Sequence, residues 1–217
     1  MKMLSLLAMI LVCSTLVFGQ KVETKPEPFF MEIEDMFPVS GAGIMIRGTI
    51  ERGKVKVGDE VELVGIKPTK ATSVVRIIKP PIREMQTEAA KGDAVGIVLK
   101  GVEKDDLSRG QVIAKPGSIT AVSRFKATLD MVAPLAGGRR TPFFTGYRPQ
   151  VFIRLGMYAG IVTLPSGVDS VEPGAKAVEV EIELNSPAAL EKGTAFELKE
   201  GGRVVGKGTV VTFDKPK

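Results

Sequence analysis

The stretch Val178-Glu179-Val180-Glu181-Ile182-Glu183-Leu184 alternates an apolar side chain with a carboxylate at every step. Successive side chains of a strand point to opposite faces, so the pattern puts two valines, Ile182 and Leu184 on a buried face and three glutamates in water. This is the signature of a half-buried antiparallel strand. Outward from it, the same punctuation recurs at short intervals. Glu172-Pro173-Gly174 makes a turn before this strand, and Lys91-Gly92-Asp93 makes one before the apolar run Ala94–Leu99. Val55 and Val57 on one side of Gly58-Asp59, with Val61 and Leu63 on the other, read as the arms of a tight hairpin. With 24 Gly and 14 Pro between β-branched runs, the chain predicts an all-β protein of many short strands, a sandwich or a barrel. Helix is expected only as a turn or two in Ile82–Ala90, after Pro80-Pro81, and one turn at Lys104–Leu107.

Composition closes several routes to chemistry. The 217 residues carry a formal charge of +5, 44% hydrophobic residues and 25% charged ones, enough to bury a core. There is no His and only one Cys, so no Ser-His-Asp triad, Cys-His pair or imidazole zinc site can form. No nucleophile and base can be assembled, and neither an enzyme nor a cofactor or metal site is expected.

The first residues read as an address. Lys2 precedes an uncharged apolar stretch, Leu4–Phe18, and a small residue, Gly19, follows, as in a secretory signal cleaved before Gln20. That stretch is shorter than the ~20 apolar residues a helix needs to cross a bilayer, so no transmembrane anchor is expected. Val12 before Cys13 argues against lipidation, since lipid-attachment signals usually carry a small residue there. The expected location is outside the cytoplasm: secreted, periplasmic or in the cell envelope. Residues 20–27, charged, with Pro26 inside and Pro28 just after, are expected as a flexible linker behind the signal at 1–19. A second break at Ala114-Lys115-Pro116-Gly117 divides the rest into 28–117 and 118–217, each large enough for a small closed barrel.

Four features invite a chemical reading. Gly201–Lys207 has GxxxxGK spacing, but Gly208 stands where Ser or Thr should follow and Thr209–Phe213 reads as strand, so a hairpin is the better account. Gly41-Ala-Gly43 lacks the third glycine and the helix of a dinucleotide site and is read as a turn. Glu32, Glu34 and Asp35 are carboxylates close in sequence, but strand alternation separates Asp35 from the glutamates, and a solvated strand face is expected. Arg139, Arg140, Arg148 and Arg154 surround Phe143, Phe144, Tyr147 and Phe152. Such a cluster can bind a phosphate backbone or merely keep a protein in solution, and both readings stay open here.

Longer runs carry a family resemblance. Pro28-Phe-Phe-Met-Glu-Ile-Glu-Asp-Met-Phe-Pro-Val-Ser-Gly-Ala-Gly43, Gly48-Thr-Ile-Glu-Arg-Gly53 and Val57-Gly-Asp-Glu-Val-Glu-Leu-Val-Gly-Ile66 resemble the second domain of bacterial elongation factor Tu, and Arg109-Gly-Gln-Val-Ile-Ala-Lys-Pro-Gly117 its end. Gly137-Gly-Arg-Arg-Thr-Pro-Phe-Phe-Thr-Gly-Tyr-Arg-Pro-Gln150 and Glu200-Gly-Gly-Arg-Val-Val-Gly206 are similar to stretches of its third domain. The resemblance spans Pro28 to Phe213 and implies two antiparallel β-barrels in tandem. In the family a guanine-nucleotide domain precedes these two. Here the expected signal stands in that place, so neither binding nor hydrolysis of GTP is expected of this chain.

The family's barrels hold the aminoacyl end and stems of transfer RNA, and that site transfers unevenly. The acidic pair beside the aminoacyl end matches Glu34-Asp35, and Gly48 keeps a glycine, but a usual threonine is Arg47, a usual asparagine is Ala94, and a glutamate falls at Pro80. In the third domain Arg139, Gln150 and the Glu200-Gly201 turn match, whereas a threonine is Ala159 and a lysine is Ser186. Each change removes a hydrogen-bonding group or puts a different one in its place, and a site losing several loses orders of magnitude in discrimination. The resemblance therefore implies a remnant site for transfer RNA or another anion. The expected function is a secreted, non-enzymatic binding module whose partner is an extracytoplasmic protein or anionic polymer. The alternative is a cytosolic factor that binds aminoacyl-transfer RNA or the ribosome.

Overall fold

The computed structural model describes residues 27–41, 43–79 and 84–214. The expected signal, Cys13, nearly all of the linker, Pro80 and the start of Ile82–Ala90 lie outside the described residues. Ten strands form the N-terminal unit: β1 (Phe30–Glu32), β2 (Asp35–Val39), β3 (Gly43–Arg52), β4 (Lys54–Lys56), β5 (Glu60–Gly65), β6 (Lys67–Lys79), β7 (Glu84–Gln86), β8 (Glu88–Ala90), β9 (Ala94–Leu99) and β10 (Val112–Ala114). Eight more follow: β11 (Thr120–Met131), β12 (Phe143–Phe144), β13 (Gln150–Ile153), β14 (Gly156–Thr163), β15 (Ser170–Val171), β16 (Val178–Leu190), β17 (Ala195–Glu200) and β18 (Arg203–Thr212).

Each unit closes on itself. The N-terminal barrel runs β1-β10-β5-β6-β9-β3 and returns to β1, with β2 added beside β3 and β7 beside β6. The C-terminal barrel is β11-β16-β14-β13-β17-β18, with β18 pairing back to β11. All these pairings are antiparallel, and closure leaves neither ring with an unpaired edge. Alternation fills the interiors. Val180, Ile182 and Leu184 point inward as the opening stretch requires, and meet Phe125, Leu129 and Val162 in one core. Phe125 and Phe196 pack edge to face there, 5.6 Å between centroids. Met31, Ile46, Leu63, Ile77 and Ile97 fill the other core.

Three local expectations fail. Residues 84–90 form β7 and β8 rather than a helical turn: β7 pairs with the end of β6, β8 pairs with β4, and Ala89 is buried, so sheet pairing overrides helix propensity. The turn at Gly58-Asp59 exists, with the Lys56 amide donating to Asp59 Oδ2 at 2.8 Å, but its arms are not partners. β4 pairs with β8, whereas β5 lies between β6 and β10. Glu32 does not lie on a solvated face; it is enclosed where the barrels meet.

That meeting is a defined seam. Phe30, Val64, Val112 and Ala114 bury against Ile119 and Ala189 of the C-terminal unit. The Ile66 amide crosses to donate to the Pro187 carbonyl at 2.5 Å. Backbones approach closely at two points: a Cβ on Gly110 would sit 2.4 Å from the Gly156 Cα, and one on Gly65 would sit 3.1 Å from the Ala189 nitrogen. Arg154 reaches Glu32 Oε1 at 3.1 Å and donates to the Ala189 carbonyl at 2.5 Å. Arg52 reaches across from the other side to Glu191 Oε2 at 2.8 Å. Both guanidiniums lie against the buried Phe30 ring, Arg52 at 4.8 Å and Arg154 at 4.9 Å from its centroid. Ile66 and Arg154 both have positive φ, +60° and +51°, a strained state for side chains that the seam holds in place.

Candidate functional site

The candidate residues fall into two groups, one on each barrel. On the N-terminal barrel the break between β1 and β2 projects Glu34 and Asp35. The Glu34 amide donates to the Arg47 carbonyl at 3.0 Å, and the Thr49 hydroxyl donates to Glu34 Oε1 at 3.0 Å. Asp35 stands opposite Arg47 in the β2–β3 register, and their charges meet at 3.5 Å. The Arg47 guanidinium also lies 5.6 Å from the Phe37 ring centroid. Arg47 thus spreads over the outer face of β2, β3 and β9, in register with Gly96. The next row of that face is Phe37, Met45 and Val98, and Met45 leans over Gly96, where a Cβ would come within 2.6 Å of its sulfur. Ala94 faces Thr49 at the far end of the strand and offers no hydrogen bond from its side chain. The side chains of Arg47 and Asp35 are 52% and 46% exposed, so their pair adds at most about 1 kcal/mol to stability. Its importance is steric and electrostatic: a cation and its stem occupy the face.

On the C-terminal barrel the hairpin β17–β18 turns through Gly201-Gly202, whose φ angles of +52° and +80° suit glycine, and pairs Glu200 with Arg203. The hairpin reading of this glycine-rich run therefore holds. Arg139 is anchored from three sides. It donates to Glu200 Oε1, its Nε and Nη2 reach the Thr141 and Pro142 carbonyls at 3.3 and 3.4 Å, and it stacks 4.7 Å from the Tyr147 ring centroid. The Tyr147 hydroxyl donates to the same Glu200 oxygen at 2.6 Å, while its ring stacks on Phe143. Burial and that hydrogen bond push the Tyr147 hydroxyl well above its ordinary pKa, so it stays a donor at any physiological pH. Gly138 cannot be replaced without strain, since a Cβ would fall 1.9 Å from the Val132 carbonyl oxygen.

Around this knot Gly138, Arg139, Arg140, Thr141, Glu200 and Arg203 line a shallow polar cavity of about 420 Å³. Arg203 was not among the expected site residues, although a two-residue turn after Glu200 is the signal that would have found it. Arg154 leaves the expected basic cluster altogether: its left-handed backbone turns it into the seam. Arg148 is exposed and Phe143 buried, so the cluster is not one surface. Gln150 is exposed on β13 between Ala159 and Lys199. The Ala159 amide donates to Asn185 Oδ1 at 2.9 Å, beside Ser186, in a bulge where Ser123 faces the residues between Glu183 and Ala188. No hydrogen bond or ion pair joins the two groups among the described residues, nor do three or more His, Cys, Asp or Glu side chains gather as a metal site would require there.

Two family models match. Residues 43–114 match elongation factor Tu domain 2, and residues 118–213 match the elongation factor Tu C-terminal domain. Each match falls on one closed barrel, and together they take in both candidate groups except Glu34, Asp35 and Phe37. By these matches and by its two closed barrels, the chain belongs to the elongation factor Tu family and carries that family's domain 2 and C-terminal domain.

Proposed function

We propose that the chain is a non-enzymatic binding module that acts outside the cytoplasm and presents the outer surfaces of its two barrels to a protein or anionic polymer. The observation that supports this most is Arg47. Its side chain, paired with Asp35 and laid over Phe37, occupies the face that in the family receives the aminoacyl end. Ala94, Ala159 and Ser186 remove further partners, so what remains is contact without discrimination. The cavity around Arg139, Arg140 and Arg203 favours a second reading, a cytosolic factor that binds transfer RNA, because those cations suit phosphate.

Filter binding of aminoacylated and deacylated transfer RNA separates the readings. The binding module holds both forms equally and loses them between low and physiological salt, as a basic patch does. A clear preference for the aminoacylated form at physiological salt would overturn it. N-terminal sequencing of the native chain from cytosolic, envelope and medium fractions tests the compartment. A chain starting at Gln20 outside the cytosol is expected, and one retaining Met1 in the cytosol refutes the location.

A further inference from the structure

We propose that the tip formed by residues 133–137 on the C-terminal barrel is a membrane-surface anchor, in which Leu135 enters the outer acyl region of an anionic bilayer while Arg140 and Arg203 meet lipid phosphates. The tip follows β11 as Ala133-Pro134-Leu135-Ala136-Gly137, five exposed residues without one polar side chain. Leu135 is 104% exposed, which no side chain on a flat or concave surface can be, so the tip stands clear of the barrel. A single exposed leucine would need no explanation. An uninterrupted apolar run on a fixed projection does.

The projection is fixed from below. The Val132 amide donates to the Val205 carbonyl at 2.9 Å, and Ala133 packs so closely on the turn at Gly174 that a Cβ there would lie 3.5 Å from its own. Above that base the chain makes one tight turn, Pro134–Ala136. Pro134 has no N–H, and the amides of Ala136, Gly137 and Gly138 donate back to the Ala133 and Pro134 carbonyls at 2.9 to 3.1 Å. A backbone whose donors are already satisfied loses little on leaving water, and a turn already ordered forfeits little conformational freedom.

Charge lies beside the tip. Gly138 closes the turn and also lines the polar cavity that Arg140 and Arg203 share. Glu200 is engaged by Arg139 and the Tyr147 hydroxyl, whereas Arg140 and Arg203 are exposed and make no ion pair among the described residues. Lys176 is paired with Asp130, and Glu172, exposed in the turn that packs on Ala133, is an acid that opposes this field. An apolar point with cations at its base is the pattern of interfacial binding: the point is buried below the headgroups, and guanidiniums bond phosphate oxygens at their level. Nucleic acid suits the arginines but gives an aliphatic tip nothing to enter.

The test uses the chain from Gln20, which keeps both closed barrels and omits Leu4–Phe18, an apolar run that would bind lipid by itself. Cosedimentation is measured with vesicles of phosphatidylcholine and of phosphatidylcholine mixed with phosphatidylglycerol. Binding is expected to the anionic vesicles and is expected to weaken as salt rises. Leu135→Ser is expected to lower it about tenfold or more, and Arg140→Gln and Arg203→Gln about fivefold each, with unfolding midpoints unchanged because all three side chains are exposed. Met85→Ser, at an exposed side chain of the other barrel, is expected to change nothing. Cys13 is the only cysteine in the sequence, so Leu135→Cys in the chain from Gln20 takes a single environment-sensitive dye, whose emission is expected to shift to the blue on anionic vesicles. Absence of binding to anionic vesicles, binding that Leu135→Ser leaves unchanged, an equal loss in Met85→Ser or a dye that stays in water would overturn the proposal. Duplex RNA held in place of vesicles would also overturn it and assign the two arginines to nucleic acid.

Discussion

Substituting Gly110→Ala should force the barrels apart without unfolding either. The new methyl would lie 2.4 Å from the Gly156 Cα and 2.8 Å from its nitrogen, both backbone atoms that cannot rotate away. Ordinary contact requires roughly 1 Å more, and a gap of that size forfeits a quarter to a half of each van der Waals contact along the joint. Phe30, Val64 and Val112 would lose part of their packing on Ile119 and Ala189. Overpacking of this kind costs about 1–3 kcal/mol, and alanine at φ +93° adds about 1–2 kcal/mol, for a total of about 2–5 kcal/mol. A built-in control removes the backbone part. Gly58 has the same φ of +93° with nothing within 4 Å of its Cβ position, so Gly58→Ala carries the strain alone. Urea unfolding of both variants, with exchange at the Ile66 amide, measures the difference. It should be about 1–3 kcal/mol and concentrated at the seam. Equal losses in the two variants, or unchanged Ile66 protection in Gly110→Ala, would show that the barrels do not meet as described.

Two further outcomes follow from the C-terminal barrel. Arg139→Met should cost about 1–3 kcal/mol, because it leaves Glu200 half-buried beside the Tyr147 hydroxyl without its cation; a double-mutant cycle with Glu200→Gln checks this, and a coupling near zero would make Arg139 a free surface cation instead. Phe125→Ala should cost about 3–5 kcal/mol in thermal or urea unfolding, since the ring is buried and packs edge-on to Phe196; a loss below about 1 kcal/mol would mean that the core is not centred there.

The face of each strand was legible in the sequence, and its partner was not. Val178–Leu184 reports which side chains turn inward because alternation is a property of one strand alone. The Gly201-Gly202 turn was equally legible, since two residues of positive φ between strand patterns leave a hairpin as the simplest geometry. β4 fails the same approach because its partner β8 lies more than thirty residues on, and no local pattern around Gly58-Asp59 announces a distant pairing. The Glu84–Ala90 strands are hidden for a related reason: each is three residues long and held by its neighbours rather than by propensity. At the candidate site the resemblance located Glu34, Asp35, Arg139 and Glu200, but not which of them are already engaged. Arg154 shows the limit most plainly. Its place in a run of arginines and aromatics suggested a surface patch, and one backbone angle of +51° moved it into the joint between barrels.

Both rings are completed by their ends. In the N-terminal barrel Phe30 pairs with Ala114, and in the C-terminal barrel Leu129 pairs with Gly208, so the first strand of each meets a strand near its finish. A growing chain therefore cannot seal either ring until that ring's last strand has been made. Most of the contacts join residues far apart along the chain, a topology that folds in milliseconds to seconds rather than microseconds. Until β18 arrives, β11 and β17 stand as open edges with apolar faces uncovered, and that interval is when the chain is most exposed to aggregation.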